Sequence, residues 1–322
     1  MITEIREAVK EYLARDDVKY AIGYEKGTYG SKVAPSFAFS PKDVDKFIFS
    51  PLCINNLAVY PLLEEKLPLP RGQTAEKSKI VVVLKGCDSK AMLQIINEKG
   101  LSRDDIIIIG VSCSGVIDPK KLQAKFPNSP IDAAYKDGKF LLLVNGEEQH
   151  ISKDELIFEK CKVCENPNPV IYDLLVGEKV EPKVDDFTDV TARKDDKPEE
   201  RWNHWGQEFD RCIRCYACRG VCPMCYCKKC IAEELRPAWI GRSVNLSENT
   251  AWNLIRAYHL AGRCIDCGEC ERVCPMDLPL RELNRKMAKD VFELFDYKAG
   301  INLDGKPVLA VYKPDDPEDF IL

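Results

Sequence analysis

Eleven of the chain's sixteen cysteines fall between Cys212 and Cys274, and eight of these repeat one spacing. Cys212, Cys215, Cys218 and Cys222 form a C-x2-C-x2-C-x3-C run followed by Pro223. Cys264, Cys267, Cys270 and Cys274 repeat it, followed by Pro275. Three thiolates two residues apart lie on one short loop and converge on a single [4Fe–4S] cubane, while the fourth, at the start of a helix, faces a neighbouring cluster. The spacing therefore predicts Cys212, Cys215, Cys218 and Cys274 around cluster 1, and Cys264, Cys267, Cys270 and Cys222 around cluster 2. Zinc asks only for four ligands in tetrahedral geometry, which gives no reason for a duplicated run with its proline. With a cysteine for every iron, such clusters pass single electrons and offer a substrate no coordination site.

The other eight cysteines are less regular. Cys225, Cys227 and Cys230 (CYCKKC) fit neither run. They are either part of a further cluster, with Cys53 as a distant fourth ligand, or buried thiols packed around the first one. Cys87 follows the apolar run IVVVLKG and Cys113 follows IIIIGVS, so each lies just past the carboxyl end of a predicted strand. Ligand sites of open α/β sheets form at that edge. Cys161 and Cys164 add a C-x2-C pair, and the four together are the complement for a third cubane. The plainer reading of Cys87 and Cys113 is that of small buried residues.

Weaker candidates surround these. Gly23, Gly27 and Gly30 in GYEKGTYG are either a phosphate cradle or an ordinary glycine-rich turn; no G-x-G-x-x-G follows a strand there. His150, His204 and His259 are isolated, and His259 falls within a predicted helix. Trp202 and Trp205 bracket His204 and read as packing at a domain junction. Arg211, Arg214, Arg219, Lys228, Lys229, Arg263 and Arg272 either offset the charge of thiolate-bound clusters or dock an acidic redox partner.

The elements that position these residues follow from periodicity. Residues 2–14 place Ile2, Ile5, Val9, Tyr12 and Leu13 on one helical face, with Thr3 as a cap. Ile80 to Leu84 and Ile106 to Val111 are continuous apolar runs, as in strands buried on both faces. The stretch Asp88 to Lys99 between them reads as a helix, so this is a βαβ unit with parallel strands. Asp137-Gly138 and Asn145-Gly146 flank KFLLLV and predict tight antiparallel turns. The expected fold is an α/β N-terminal domain with a mixed sheet over 1–182, followed by a charged linker over 183–205. A mainly α-helical dicluster ferredoxin domain over 206–296 and an extended tail over 297–322 complete it. Ser247 is the expected cap of a helix carrying Trp252, Ile255, His259 and Leu260, and residues 281–296 form another.

Two resemblances attach to these residues. The paired cysteine runs resemble dicluster ferredoxin domains. The 41 residues between them (223–263) are similar to the insert of the helical ferredoxin domains in succinate dehydrogenase iron–sulfur subunits and heterodisulfide reductase subunits. The order KGC-DSKA at Cys87, IGVSC-SG at Cys113 and CKVC at Cys161 and Cys164, then ENPNPVIYD, resembles the β subunits of coenzyme F420-reducing hydrogenases and formate dehydrogenases. That resemblance, over about residues 80–175, implies FAD and a [4Fe–4S] cluster beside a deazaflavin site. The expected function is an iron–sulfur electron-transfer subunit of an oxidoreductase complex of anaerobic metabolism. Its partners would be other redox subunits: a flavin or a dehydrogenase linked to formate, hydrogen, NADH or deazaflavin on one side, and a heterodisulfide-reductase-like acceptor on the other. The competing expectation is an FAD-dependent deazaflavin or NAD(P)H dehydrogenase acting in its own right.

Composition sets outer limits. With 47 basic and 52 acidic residues, the net charge of −5 has the wrong sign for binding nucleic acid through bulk charge. The longest apolar runs, such as Ile106 to Ile109 and Phe140 to Val144, fall far short of the ~20 residues that span a bilayer. The N-terminus MITEIREAVKEY carries charges where a secretory signal needs an apolar stretch. A cytoplasmic chain is expected, in which cysteines serve as metal ligands rather than disulfides.

Overall fold

The computed structural model describes residues 1–29, 31–65, 78–127, 129–191, 193, 195–312 and 314. The chain divides into two compact units, Met1–Met92 with Lys99–Asp185, and Leu93–Glu98 with Asp186–Leu322.

The first unit is built on a five-stranded sheet in the order β2-β1-β3-β4-β8. Its strands are β1 (Val18–Lys26), β2 (Val33–Ala38), β3 (Lys79–Leu84), β4 (Ile106–Val111) and β8 (Leu174–Val176). The two apolar runs pair in parallel, from Ile80 opposite Ile106 to Leu84 opposite Gly110. β1 and β8 extend the sheet in parallel, and β2 closes one edge antiparallel, which makes it mixed as expected. Pro35 sits in that edge strand, where no ladder hydrogen bond is lost. One face of the sheet (Val81, Val83, Ile107, Ile109, Val111) packs on Ile5 and Val9 of helix α1 (Ile2–Leu13). Each such buried aliphatic side chain contributes about 1.5–3 kcal/mol. α1 begins after Met1 with no side-chain cap, so Thr3 does not cap it.

Helices α2 (Val59–Glu65), α3 (Gly86–Asn97), α4 (Pro119–Lys125) and α5 (Lys153–Leu156) connect the strands. A second, antiparallel sheet joins β5 (Ile131–Lys136), β6 (Lys139–Val144) and β7 (Glu147–Ser152). Its turns use Asp137-Gly138 and Asn145-Gly146, all four with positive φ, as the two dipeptides predict.

The second unit is helical: α6 (Thr188–Thr191), α7 (Pro198–Asp210), α8 (Ala217–Gly220), α9 (Leu246–His259), α10 (Glu269–Arg272) and α11 (Leu280–Phe295). α9 starts two residues earlier than expected, because Asn245, not Ser247, accepts the capping hydrogen bond, from the Glu248 N–H. The stretch read as a charged linker is structured over much of its length. It contains α6 and the first turns of α7. Asp189 pairs with Arg281 and Arg285, and Phe187 stacks on Phe292. Its anchors are mostly ion pairs, so apolar periodicity carried little signal. In the tail, Val308–Ala310 form a short 3-10 turn, and residues 313 and 315–322 lie outside the described residues. Among the described residues no helix is long and apolar enough to cross a membrane.

Candidate iron–sulfur centres

In the first unit, Cys87 opens α3 directly after β3, and Cys113 follows β4, so parallel pairing brings both to one sheet edge. The loop carrying Cys161 and Cys164 is fastened to the same edge. The Cys113 N–H donates to the Pro167 carbonyl (2.9 Å), and the Val170 N–H to the Ser89 hydroxyl (2.9 Å). Gly86 makes this approach possible, since a Cβ there would lie 1.8 Å from the Asn166 carbonyl oxygen. A Cβ on Gly115, at φ +109°, would lie 2.9 Å from Ile157 Cδ1 and 3.4 Å from the Cys161 Cβ. Gly86→Ala is accordingly expected to destabilise the protein by about 1–3 kcal/mol through overpacking. Gly206→Ala, in open space within α7, is expected to raise stability by up to about 1 kcal/mol. Urea-unfolding midpoints of the anaerobic holoprotein check both.

Burial pushes the thiols of Cys87, Cys113, Cys161 and Cys164 above their ordinary value, with the nearby charges of Lys160 and Lys85 acting against it at Cys87 and Cys113. Cys53 belongs to this unit too. It is fully buried, and burial lifts its thiol to about 11, with Lys85 and Cys113 among its charged neighbours. Cys225, Cys227 and Cys230 belong to the second unit.

Beneath these cysteines lies a buried ion pair that sequence reasoning did not single out. Lys85, 1% exposed, donates to Asp88, 0% exposed, at 2.8 Å, and to the Asn55 carbonyl at 3.0 Å. It also donates to the Tyr24 hydroxyl, which reaches Asp88 at 3.2 Å. The signal was present in KGCDSKA, where Lys85 and Asp88 stand three apart around Cys87.

In the second unit the two cysteine runs share one backbone conformation. Arg214 and Tyr216 in the first, and Asp266 and Gly268 in the second, occupy equivalent positions and all have positive φ. Three of these four are not glycine and need support there. The Arg214 guanidinium donates to the Tyr216 hydroxyl (2.6 Å) and the Gly241 carbonyl (2.7 Å). The Asp266 carboxylate accepts from Arg281 and Arg285 at 2.7 Å. α8 and α10 begin at the same point of each run.

The runs then line two cavities. Cys212, Cys215, Cys218 and Cys274 line one, and Cys222, Cys264, Cys267 and Cys270 line the other. Each takes three cysteines from one run and the fourth from the other. Cys212, Cys270 and Cys274 pack with Leu278 and Leu280 in one buried cluster, so the cavities adjoin. Among the described residues no three His, Cys, Asp or Glu side chains converge on a single metal ion. A family model described as a 4Fe-4S dicluster domain matches residues 211–279.

That stretch is a 4Fe-4S dicluster domain, and it implies two [4Fe–4S] clusters.

Over most of its length the chain is similar to two curated proteins. An F420-dependent formate dehydrogenase subunit β from Methanocaldococcus jannaschii is 26% identical over 293 aligned residues, covering 72% of this chain and 76% of that one. An F420-dependent formate dehydrogenase 1 subunit β from Methanococcus maripaludis is 22% identical, covering 73% and 76%. A chain of the F420-reducing [NiFe] hydrogenase complex from Methanosarcina barkeri overlays with a TM-score of 0.37 at 16% identity, covering 51% of this chain and 58% of that one. The similarity to the two β subunits therefore extends beyond the 69 residues of the dicluster match.

Within the dicluster domain, burial raises the thiols of Cys218 and Cys264 to about 11 and that of Cys270 to about 12. These cysteines surrender their protons when iron binds. The Leu278 N–H lies 3.4 Å from the Cys274 sulfur and the Asn284 amide 3.6 Å from that of Cys270, contacts of the kind that tune cluster potentials. The basic residues near the runs are mostly taken up internally: Arg211 by Glu208, Arg219 by Glu233, Lys229 by Glu234, Arg263 by Glu98, and Arg272 by Glu269. This leaves little of the docking patch that the sequence allowed. His204 packs edge-on against Trp205, which stacks on Phe209, while Trp202 is exposed.

Gly23 and Gly27 of the glycine-rich stretch leave no room for a flavin phosphate against their backbone. Gly23 lies under the Phe47 ring, which a Cβ would meet at 2.5 Å, and Gly27 turns tightly against the Lys32 carbonyl. Gly30 lies outside the described residues.

Proposed function

We propose that this chain is the iron–sulfur electron-transfer subunit of a cytoplasmic oxidoreductase complex, acting between a dehydrogenase partner and a heterodisulfide-reductase-like acceptor. The dehydrogenase would be linked to formate, hydrogen, NADH or deazaflavin, formate and deazaflavin being favoured by the relatives' names. Cys212, Cys215, Cys218 and Cys274 hold one cluster; Cys264, Cys267, Cys270 and Cys222 hold the other. What carries this reading is the exchange of the fourth cysteine between adjoining cavities, which puts two one-electron carriers side by side in a water-poor core. The chain's own groups hold the thiolates, bury Cys212, Cys267, Cys270 and Cys274, and donate hydrogen bonds to the sulfurs of Cys270 and Cys274.

A third cluster, held by Cys87, Cys113, Cys161 and Cys164, completes the proposed relay. Its support is the sheet edge at which the four cysteines meet, with Lys85 and Lys160 near to offset thiolate charge. Replacing Cys161 and Cys164 together by alanine is expected to remove about four irons per chain and leave the coupled paramagnetic signals of the dicluster domain intact. Full iron content in that variant would remove the N-terminal cluster.

The relay assigns no step to FAD on this chain, and Gly23 and Gly27 are committed to packing. Flavin in the denatured extract of the anaerobically purified protein, together with oxidation of a hydride donor by the isolated chain, would instead support a dehydrogenase in its own right.

A further inference from the structure

The dicluster unit contains a third cavity that neither cysteine run lines as a set. Cys225, Cys227 and Cys230 all line it. Its opposite wall is one face of α9, where Trp252, Ile255, Arg256 and His259 recur at helical spacing. His259 is thereby the one imidazole among the lining residues. The cysteines lie on a segment without regular secondary structure, and the Arg219–Glu233 ion pair (2.8 Å) anchors its far end.

Arg256 is the second, independent observation. Only 5% exposed, it lines both this cavity and that of Cys222, Cys264, Cys267 and Cys270. Its Nε is buried with no hydrogen-bond partner among the described residues, and its charge faces Cys222, Cys270, Cys225 and Cys218. A buried guanidinium is costly unless a negative charge meets it. Thiolate-bound clusters on both sides would meet it.

We propose that Cys225, Cys227 and Cys230, with His259 as the fourth donor, hold a further [4Fe–4S] cluster in the dicluster unit, Arg256 forming the wall it shares with its neighbour. The proposal rests on the reading of this unit as an iron–sulfur relay. Cys227 and His259 are exposed, so this centre opens to solvent where an electron can enter or leave.

The test is made on the full chain, reconstituted anaerobically with iron and sulfide. The variant carrying Cys225→Ser, Cys227→Ser and Cys230→Ser is expected to hold about four irons fewer than the parent, with the coupled signals of the two runs retained. An unchanged iron content overturns the proposal, as does the loss of one zinc in place of iron. Should the triple variant lose the coupled signals as well, His259→Ala decides. It keeps every cysteine, and the proposal requires one paramagnetic signal to change in shape or potential while an unchanged spectrum refutes it. Because the iron count is a difference from the parent, it does not depend on the N-terminal cysteines. A parent chain that takes up no iron would instead refute the relay reading itself.

Discussion

Cys274→Ala is expected to cripple the cluster of Cys212, Cys215 and Cys218, not the cluster of the cysteines beside it in sequence. Cys274 lines the first run's cavity and Cys222 lines the second's. The variant leaves one iron of the first cubane without its thiolate, and up to about four irons are lost if the remainder disassembles. The check is resemblance between variants. Spectra of Cys274→Ala should match those of Cys215→Ala, and spectra of Cys222→Ala those of Cys267→Ala. If Cys274→Ala matches Cys267→Ala instead, the exchanged ligation is wrong. Stability should fall with either cluster, because the buried contacts between the cavities are made by cysteines together with Leu278 and Leu280.

Lys85→Met is expected to lower the stability of the first unit by about 3–5 kcal/mol, the cost of leaving a buried charge without its partner. Asp88 would keep the Tyr24 hydroxyl (3.2 Å), the backbone N–H of residue 85 (3.3 Å) and the Cys87 thiol (3.5 Å), none of them a cation. Natural domains hold only about 5–15 kcal/mol in all, so the urea-unfolding midpoint should shift markedly. Adding Asp88→Leu removes the stranded carboxylate, and apolar replacement of a buried pair is often close to neutral. The double variant should therefore be more stable than Lys85→Met alone. A single variant costing under about 1 kcal/mol would show that water reaches Asp88 and that the pair is not sealed.

The sequence revealed most where periodicity or spacing was strict. The runs at Ile80 and Ile106 read as parallel buried strands and are so paired, residue for residue. The Asp-Gly and Asn-Gly turns carry positive φ as their composition requires. The spacing of the cysteine runs led to the same grouping of three cysteines with one from the other run that lines each cavity. Charged packing was much less legible. Asp189, within a stretch read as solvated, is tied to Arg281 and Arg285, partners more than ninety residues away. Arg256 gave no local sign of its burial between cavities, since only the folded chain brings Cys218, Cys222, Cys225 and Cys270 around it. Cys53 stood alone in SPLCINN, and its place beside Lys85 and Cys113 depended on a chain reversal without a short-range signature.

Ligand exchange between the runs also bears on how the protein is made. When the first run leaves the ribosome it carries three thiolates for its own cavity and a single one for the other, with the 41 residues of 223–263 still to come before the second run begins. A nascent chain at that stage cannot enclose either cubane. On the proposed ligation the set of Cys222, Cys264, Cys267 and Cys270 is complete once Cys270 has been synthesised and the other only at Cys274, so a chain ended before Cys270 has no finished cubane site in the dicluster domain to be loaded.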